Sequence, residues 1–219
     1  MTAPVPRSGG DRQAPPSRRT VLRGAAAVTL APAAATALTA GPASAAGTGP
    51  SAATVDHPGA QWLPADPANY RTARRPRSHP VESVVVHVTQ EHFADAVALF
   101  QSPGRRTSAH YLVGSADGRI AQCVREKDVA WHTGSPDDDA RSIGITHEGW
   151  VDSTAWFTEA MYASSAALTA AVCARHAIPL DRAHIRGHHE VPGTTCTDPG
   201  ANWDWDRYLD LVRRAVVAR

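Results

Sequence analysis

Two histidines and an aspartate carry the strongest suggestion of chemistry among the 219 residues. His87 closes an apolar run, Val84-Val85-Val86-His87-Val88, and His188 follows the short stretch Ala183-His184-Ile185-Arg186-Gly187. Asp198 lies ten residues beyond His188 and opens Asp198-Pro199-Gly200. Two imidazoles and a carboxylate, with a fourth position left for water, form the ligand set of hydrolytic zinc sites. Zinc so held polarises a carbonyl and makes water nucleophilic near neutral pH, which opens stable amides to attack without a covalent enzyme intermediate. The spacing alone also suits hydrogen-bonded core histidines and an ordinary Asp-Pro-Gly turn.

The elements needed to hold such residues are legible. Val81 to Val88 is apolar on both alternating faces, which predicts a central strand covered on two sides and ending beside His87. Phe93, Val97 and Phe100 predict a short helix that stops near Ser102-Pro103-Gly104. Segments 109–113 and 119–124 flank Asp117-Gly118 and predict a hairpin. Ser142 to Glu148 alternates, with Ser142, Gly144, Thr146 and Glu148 on one face and Ile143, Ile145 and His147 on the other, which predicts a strand bordering a cleft. A long helix is expected from Thr158 to His176, with Thr158 as N-cap, Met161, Leu168 and Val172 on one stripe, and Ile178-Pro179 as its stop. A last helix over 204–217 would turn Trp205, Tyr208, Leu209, Val212 and Val216 to the core. The sum is a single α/β domain, a mixed central sheet flanked by helices, without internal repeats.

The order of the segments adds a resemblance that spacing does not. Val84-Val85-Val86-His87-Val88-Thr89, Ser108-Ala109-His110-Tyr111, Asp117-Gly118, Ala130-Trp131-His132-Thr133-Gly134, Ser142-Ile143-Gly144-Ile145, Gly187-His188, and Asp198-Pro199-Gly200 with Trp203-Asp204-Trp205 occur in sequence. Together they resemble the type-2 N-acetylmuramoyl-L-alanine amidases, relatives of phage lysozyme-type amidases and peptidoglycan recognition proteins, from about Trp62 to Tyr208. The resemblance implies that fold, Zn2+ held by His87, His188 and Asp198, with Cys196 as the alternative third ligand because some branches of the family use a Cys, and hydrolysis of the bond between the muramic acid lactyl group and L-alanine. It implies peptidoglycan or muramyl peptides as partners. His132 is the candidate for assistance at the reacting centre, and His110 and Trp131 are candidates for shaping the substrate groove.

Two positions depart from the family pattern. Thr146 stands where the family strand carries the Glu thought to activate water, and a threonine is no base at neutral pH. Glu148, two residues on, is the candidate replacement, at about 7 Å along an extended strand, and a water held by Thr146 is the alternative. Cys196 stands where some members place a Lys, and a thiol stabilises an oxyanion poorly. The departures keep two rivals in view: a peptidoglycan-binding protein without turnover, and a zinc peptidase of other specificity.

The whole chain frames this site. Net charge +1 gives no footprint for a nucleic-acid partner, and nothing in the sequence asks for more than a monomer. Ser17-Arg18-Arg19-Thr20-Val21-Leu22-Arg23, the weakly apolar run to Ala40 and Ala43-Ser44-Ala45 follow the order of a twin-arginine export signal with its cleavage site. The expected organisation is therefore a signal over 1–45, a flexible leader over 46–60 and a zinc amidase domain over 61–219, secreted or wall-associated and without a membrane span after cleavage. Pro32 interrupts the apolar run, which argues against a permanent span. Cys123, Cys173 and Cys196 would allow one disulfide and a spare thiol in such an exported protein.

Overall fold

The computed structural model describes residues 55–217. The expected export signal lies outside the described residues, as does the leader as far as residue 54. The last residues of the expected leader, 55–60, are tied to the domain that follows. Asp56 donates its N–H to Gln122 Oε1 at 2.6 Å, and its carboxylate accepts from Gln122 Nε2 at 2.5 Å and from the Glu126 N–H at 2.9 Å. Its paired carboxylate anchors this segment to Gln122 and Glu126.

In chain order the strands are β1 (Gln61–Trp62), β2 (Tyr70–Arg71), β3 (Ser83–Val88), β4 (Tyr111–Val113), β5 (Ile120–Gln122), β6 (Val129–Ala130), β7 (Ser142–His147) and β8 (Ile185–Gly187). The helices are α1 (Phe93–Gln101), α2 (Pro136–Arg141), α3 (Glu159–His176) and α4 (Trp205–Val217). Six strands form one mixed sheet in the order β1-β5-β4-β7-β3-β8, and β2 pairs with β6 apart from it. Strands β4, β7, β3 and β8 run parallel, whereas β5 is antiparallel to β4. Every residue of β3 is buried, as expected of a parallel strand covered on both faces.

Strand β7 meets the expected cleft near its C-terminal end. It lies in the middle of the sheet, between β4 and β3, and its Thr146 lines a cavity. The small residues Ser142 and Gly144 on its polar face make room for the ring of His132 instead of meeting solvent.

Helices α3 and α4 cover one face of the sheet. There Val84, Val86, Val88, Ile143 and Ile145 pack with Met161, Leu168, Val172, Tyr208, Leu209 and Val212. Full burial of each such aliphatic side chain contributes roughly 1.5–3 kcal/mol, so this is the stronger of two cores. Thr158 caps α3 by accepting the Met161 N–H at 3.1 Å. The helix ends at Ala177 in a left-handed conformation, φ 56°, one residue before Ile178-Pro179. Val216 is 41% exposed, not a core residue as expected, because α4 runs past the edge of the packed face in its last turn.

Helix α1 covers the other face, where Phe93, Ala96 and Phe100 meet Ala109, Leu112 and Ala121. The β4–β5 hairpin turns at Asp117-Gly118, with Gly118 at φ +68° and pressed so close to Ala160 O that a Cβ would approach to 2.5 Å. All three cysteines are free. Cys173 belongs to the α3–α4 core and Cys123 to the α1 core, while Cys196 is exposed, so the fold sets no two side by side as a disulfide would require. Among the described residues no helix is long and apolar enough to cross a membrane.

Candidate metal centre

Parallel strands bring their C-terminal ends to one edge, and the expected ligands gather there. His87 sits on β3 opposite Thr146 of β7. Strand β8 pairs with Val84–Val86 and ends at Gly187, which delivers His188 to the same edge. The chain then loops back, and Asp198 O accepts the N–H of His189 at 3.0 Å, which fixes the third donor. His189 itself is exposed and turns its ring Nδ1 to that same carbonyl oxygen at 3.1 Å.

His87, His188 and Asp198 are all buried, with ligand atoms within 4.8 Å of one another. His188 Nδ1 lies 2.9 Å from Asp198 Oδ1, and His87 Nδ1 lies 3.3 Å from Asp198 Oδ2. Tetrahedral zinc with bonds of about 2.0–2.1 Å spaces its ligand atoms about 3.3 Å apart, so this donor set fits the ion. Cys196 is exposed and outside the cluster.

Neighbouring groups fix which ring nitrogens face the centre. His188 Nε2 donates to Thr133 O at 3.1 Å, leaving Nδ1 for the cluster. His87 Nε2 lies 2.9 Å from His132 Nδ1, and His132 Nε2 lies 3.3 Å from Ser142 Oγ, which donates to Asp138 O at 2.6 Å. With Nδ1 of His87 turned to Asp198, its Nε2–H donates to His132, whose own proton points at Ser142. Burial pushes His87 down despite Asp198, and burial with His87, His110 and Arg75 nearby holds His132 well below the ordinary range. Both shifts favour the neutral ring, the form that a metal ligand and its hydrogen-bond acceptor would need. Burial opposes ionisation of Asp198, but hydrogen bonds from His188 and His87 hold it well below the usual carboxylate range. Burial likewise disfavours a charged His188, yet the Asp198 carboxylate raises it.

With this geometry in place, sequence comparison settles the family. The family model for N-acetylmuramoyl-L-alanine amidase matches residues 77–201. The chain belongs to that amidase family. N-acetylmuramoyl-L-alanine amidase A of Achromobacter lyticus is 33% identical over 176 residues, covering 72% of this chain and 96% of the relative. The 1,6-anhydro-N-acetylmuramyl-L-alanine amidase AmpD of Citrobacter freundii is 37% identical over 49% of this chain, a match spanning only 58% of that relative. A crystal structure of AmpD as its selenomethionine derivative superposes with a TM-score of 0.59 at 30% identity, covering 71% of this chain and 96% of the other.

The remaining candidates of this amidase-family chain fall on either side of the cavity wall. A cavity of about 260 Å³ opens over His87, His188 and Asp198, bounded by Thr146, by Ala96, Leu99 and Phe100 of the α1 side, and by Thr89 and Glu91. His132 lines it as well, and Cys196 lies at its exposed margin. Trp131 is half-buried and borders a second cavity, about 430 Å³, with Arg71 and Arg106; the Arg106 guanidinium lies 5.6 Å from the Trp131 ring centre. His132 belongs to both cavities.

Glu148 and His110 are not brought to the centre. Strand β7 ends at His147, and the Glu148 carboxylate turns to the first turn of α1, accepting the N–H of Phe93 at 3.0 Å and of Ser115 at 2.9 Å. His110 is fully buried, its Nδ1 accepting the Gly144 N–H at 3.0 Å and its Nε2 lying 3.2 Å from Asp128 O, against the Arg75 guanidinium. It ties β4 to β7 and has no surface to offer a substrate.

Three supporting residues had no chemical signal in the sequence. Asp139 Oδ1 accepts the N–H groups of His132 and Thr133 and the Thr133 hydroxyl, at 3.0, 2.8 and 2.8 Å. Ser142 receives the His132 ring. Gly144 leaves the space that ring fills, since a Cβ there would come within 2.6 Å of it. Only the smallness of Gly144 on a polar face pointed this way.

Proposed function

We propose that the chain hydrolyses the amide bond between the lactyl group of N-acetylmuramic acid and the first L-alanine of the stem peptide, with zinc held by His87, His188 and Asp198. The observation that carries this reading is the convergence of two imidazole Nδ1 atoms and one carboxylate at the base of an open cavity. The names of the amidase relatives supply the substrate.

Zinc in this pocket would supply Lewis-acid polarisation of the scissile carbonyl and of water. The chain's own residues do the positioning. Thr133 O and His132 hold the two ligand rings in the required tautomer, and such partners are typically worth about 10–100-fold in metal affinity or activity. Apolar residues of α1 limit water along one wall, and Trp131 with Arg106 offers contacts to the part of the substrate lying beyond His132. Thr146 contributes no acid–base chemistry at neutral pH, and the carboxylate of Glu148 is engaged with backbone amides.

Intact peptidoglycan digested by the purified protein should release free stem peptides with an N-terminal alanine, identified by mass spectrometry. A muramyl peptide should be cut and the same peptide lacking the sugar left whole; cleavage of both would favour a zinc peptidase of broader specificity. Thr146 specifically favours a second reading, wall binding without turnover. Retention on peptidoglycan with zinc bound and no peptide released would establish it.

The same reading places the enzyme outside the cytoplasm, carried by a twin-arginine signal over residues 1–45. The support is the order of charge block, apolar run and small-residue site. Arg18→Lys with Arg19→Lys should trap the precursor in the cytoplasm, and unchanged export would contradict the assignment.

A further inference from the structure

Amide hydrolysis by water needs a group that accepts a proton from the attacking water and returns one to the departing amine. Of the carboxylates expected to provide it, one position holds Thr146 and the other, Glu148, spends both oxygens on backbone amides. Two carboxylates line the metal cavity among the described residues, Asp198 and Glu91. Asp198 is committed to His87 and His188. Glu91 is not committed: its carboxylate makes no hydrogen bond or ion pair among the described residues.

The backbone that carries Glu91 is nonetheless firmly held. Beyond β3 the Thr89 N–H still pairs with His147 O at 2.9 Å, and Gln90 then turns the chain at φ 57°. Glu91 forms a bridge with Gly149, its carbonyl accepting the Gly149 N–H at 3.2 Å and the Thr89 hydroxyl at 2.7 Å. Its own N–H donates to Thr89 Oγ1 at 3.1 Å. A half-buried acid without a protein partner, on a backbone fixed four residues from ligand His87, gains nothing for the fold from its charge.

We propose that Glu91 is the proton-transferring carboxylate of this site, in the place that Thr146 leaves vacant; the proposal rests on the amidase reading above. The water oxygen bonds to the lactyl carbonyl carbon while one of its protons passes to the Glu91 carboxylate. The carbon–nitrogen bond then breaks, and Glu91 returns that proton to the alanine nitrogen. The products are the lactyl carboxylic acid, which gives up its remaining proton to solvent, and a free amine, and Glu91 ends as it began.

The test compares zinc-loaded wild type, Glu91→Gln, Glu91→Asp and the double variant Glu91→Gln with Thr146→Glu on one muramyl peptide. Glu91→Gln should lower kcat by about a hundredfold or more. Its KM should stay within about threefold, the signature of an interaction used only in the transition state. Calorimetry should find zinc affinity and muramyl-peptide affinity unchanged in Glu91→Gln, since the residue neither ligates metal nor anchors substrate. Glu91→Asp should retain part of kcat, and Thr146→Glu should restore at least about tenfold to Glu91→Gln by supplying a carboxylate from β7. A Glu91→Gln enzyme with wild-type kcat, or one impaired only in KM or in zinc affinity, would overturn the proposal and leave the amidase reading standing. A wild type that releases nothing would overturn both.

Discussion

His132 and Gly144 act as one unit. The imidazole occupies the volume that any side chain at position 144 would fill, and from there it receives the Nε2–H of His87. Gly144→Ala places a carbon within 2.6 Å of that ring and must displace it. The predicted result is a folded protein whose zinc affinity falls by about 10–100-fold, measured by competition with a chromophoric chelator. Unchanged affinity would mean that His132 does not hold His87. At this scale the sequence was an uneven guide. The grouping of His87, His188 and Asp198 was legible because few residue types offer donors of that kind. His110 and His132 both appeared as free histidines, and only the long-range arrival of Arg75 separates the buried one from the one in the cavity wall. Glu91 was invisible because nothing local marks a residue whose importance comes from a pocket assembled by distant segments.

Among the elements, Glu148 illustrates how a strand's end redirects a side chain. Alternation along β7 predicted that it would share a face with Thr146, yet its carboxylate joins β7 to the N-terminus of α1 and to Ser115. Glu148→Ala leaves two buried amides without that acceptor and is predicted to cost about 1–3 kcal/mol for each orphaned group, read from urea unfolding. The folded fraction should keep its kcat; loss of kcat without loss of stability would return Glu148 to the reacting centre. Periodicity carried β3, α1, the β4–β5 hairpin, α3 and α4 well, because each buries a repeating apolar stripe. The two-residue strands β1, β2 and β6 have too few residues for any period, and the position of β7 in the sheet depends on partners that no local pattern names.

Across the whole molecule, stability is tied to pH at a buried network remote in sequence from the ligands. Burial would raise the Glu126 carboxyl, but hydrogen bonds from His176, Arg175 and Tyr111 hold it far below the usual carboxylate range. Because the unfolded chain then binds a proton more readily than the native one, the contribution is complete above the ordinary value of 4.5 and is lost as pH falls below it. The urea midpoint of the wild type should therefore drop between pH 6 and pH 3, values set about the ordinary carboxylate range. Glu126→Gln should be less stable at neutral pH and flatter through the acid range; an equally steep acid limb would place the dependence elsewhere.

A metal held at one edge of the sheet and used against the peptidoglycan amide is tested most directly by stripping the purified mature protein with a chelator and returning zinc. Intact peptidoglycan incubated with each form, and its soluble products weighed by mass spectrometry, should yield alanine-terminated stem peptides from the zinc-restored protein and none from the stripped one. Equal release by the stripped protein would contradict the metal centre, and no release by either would contradict the hydrolase.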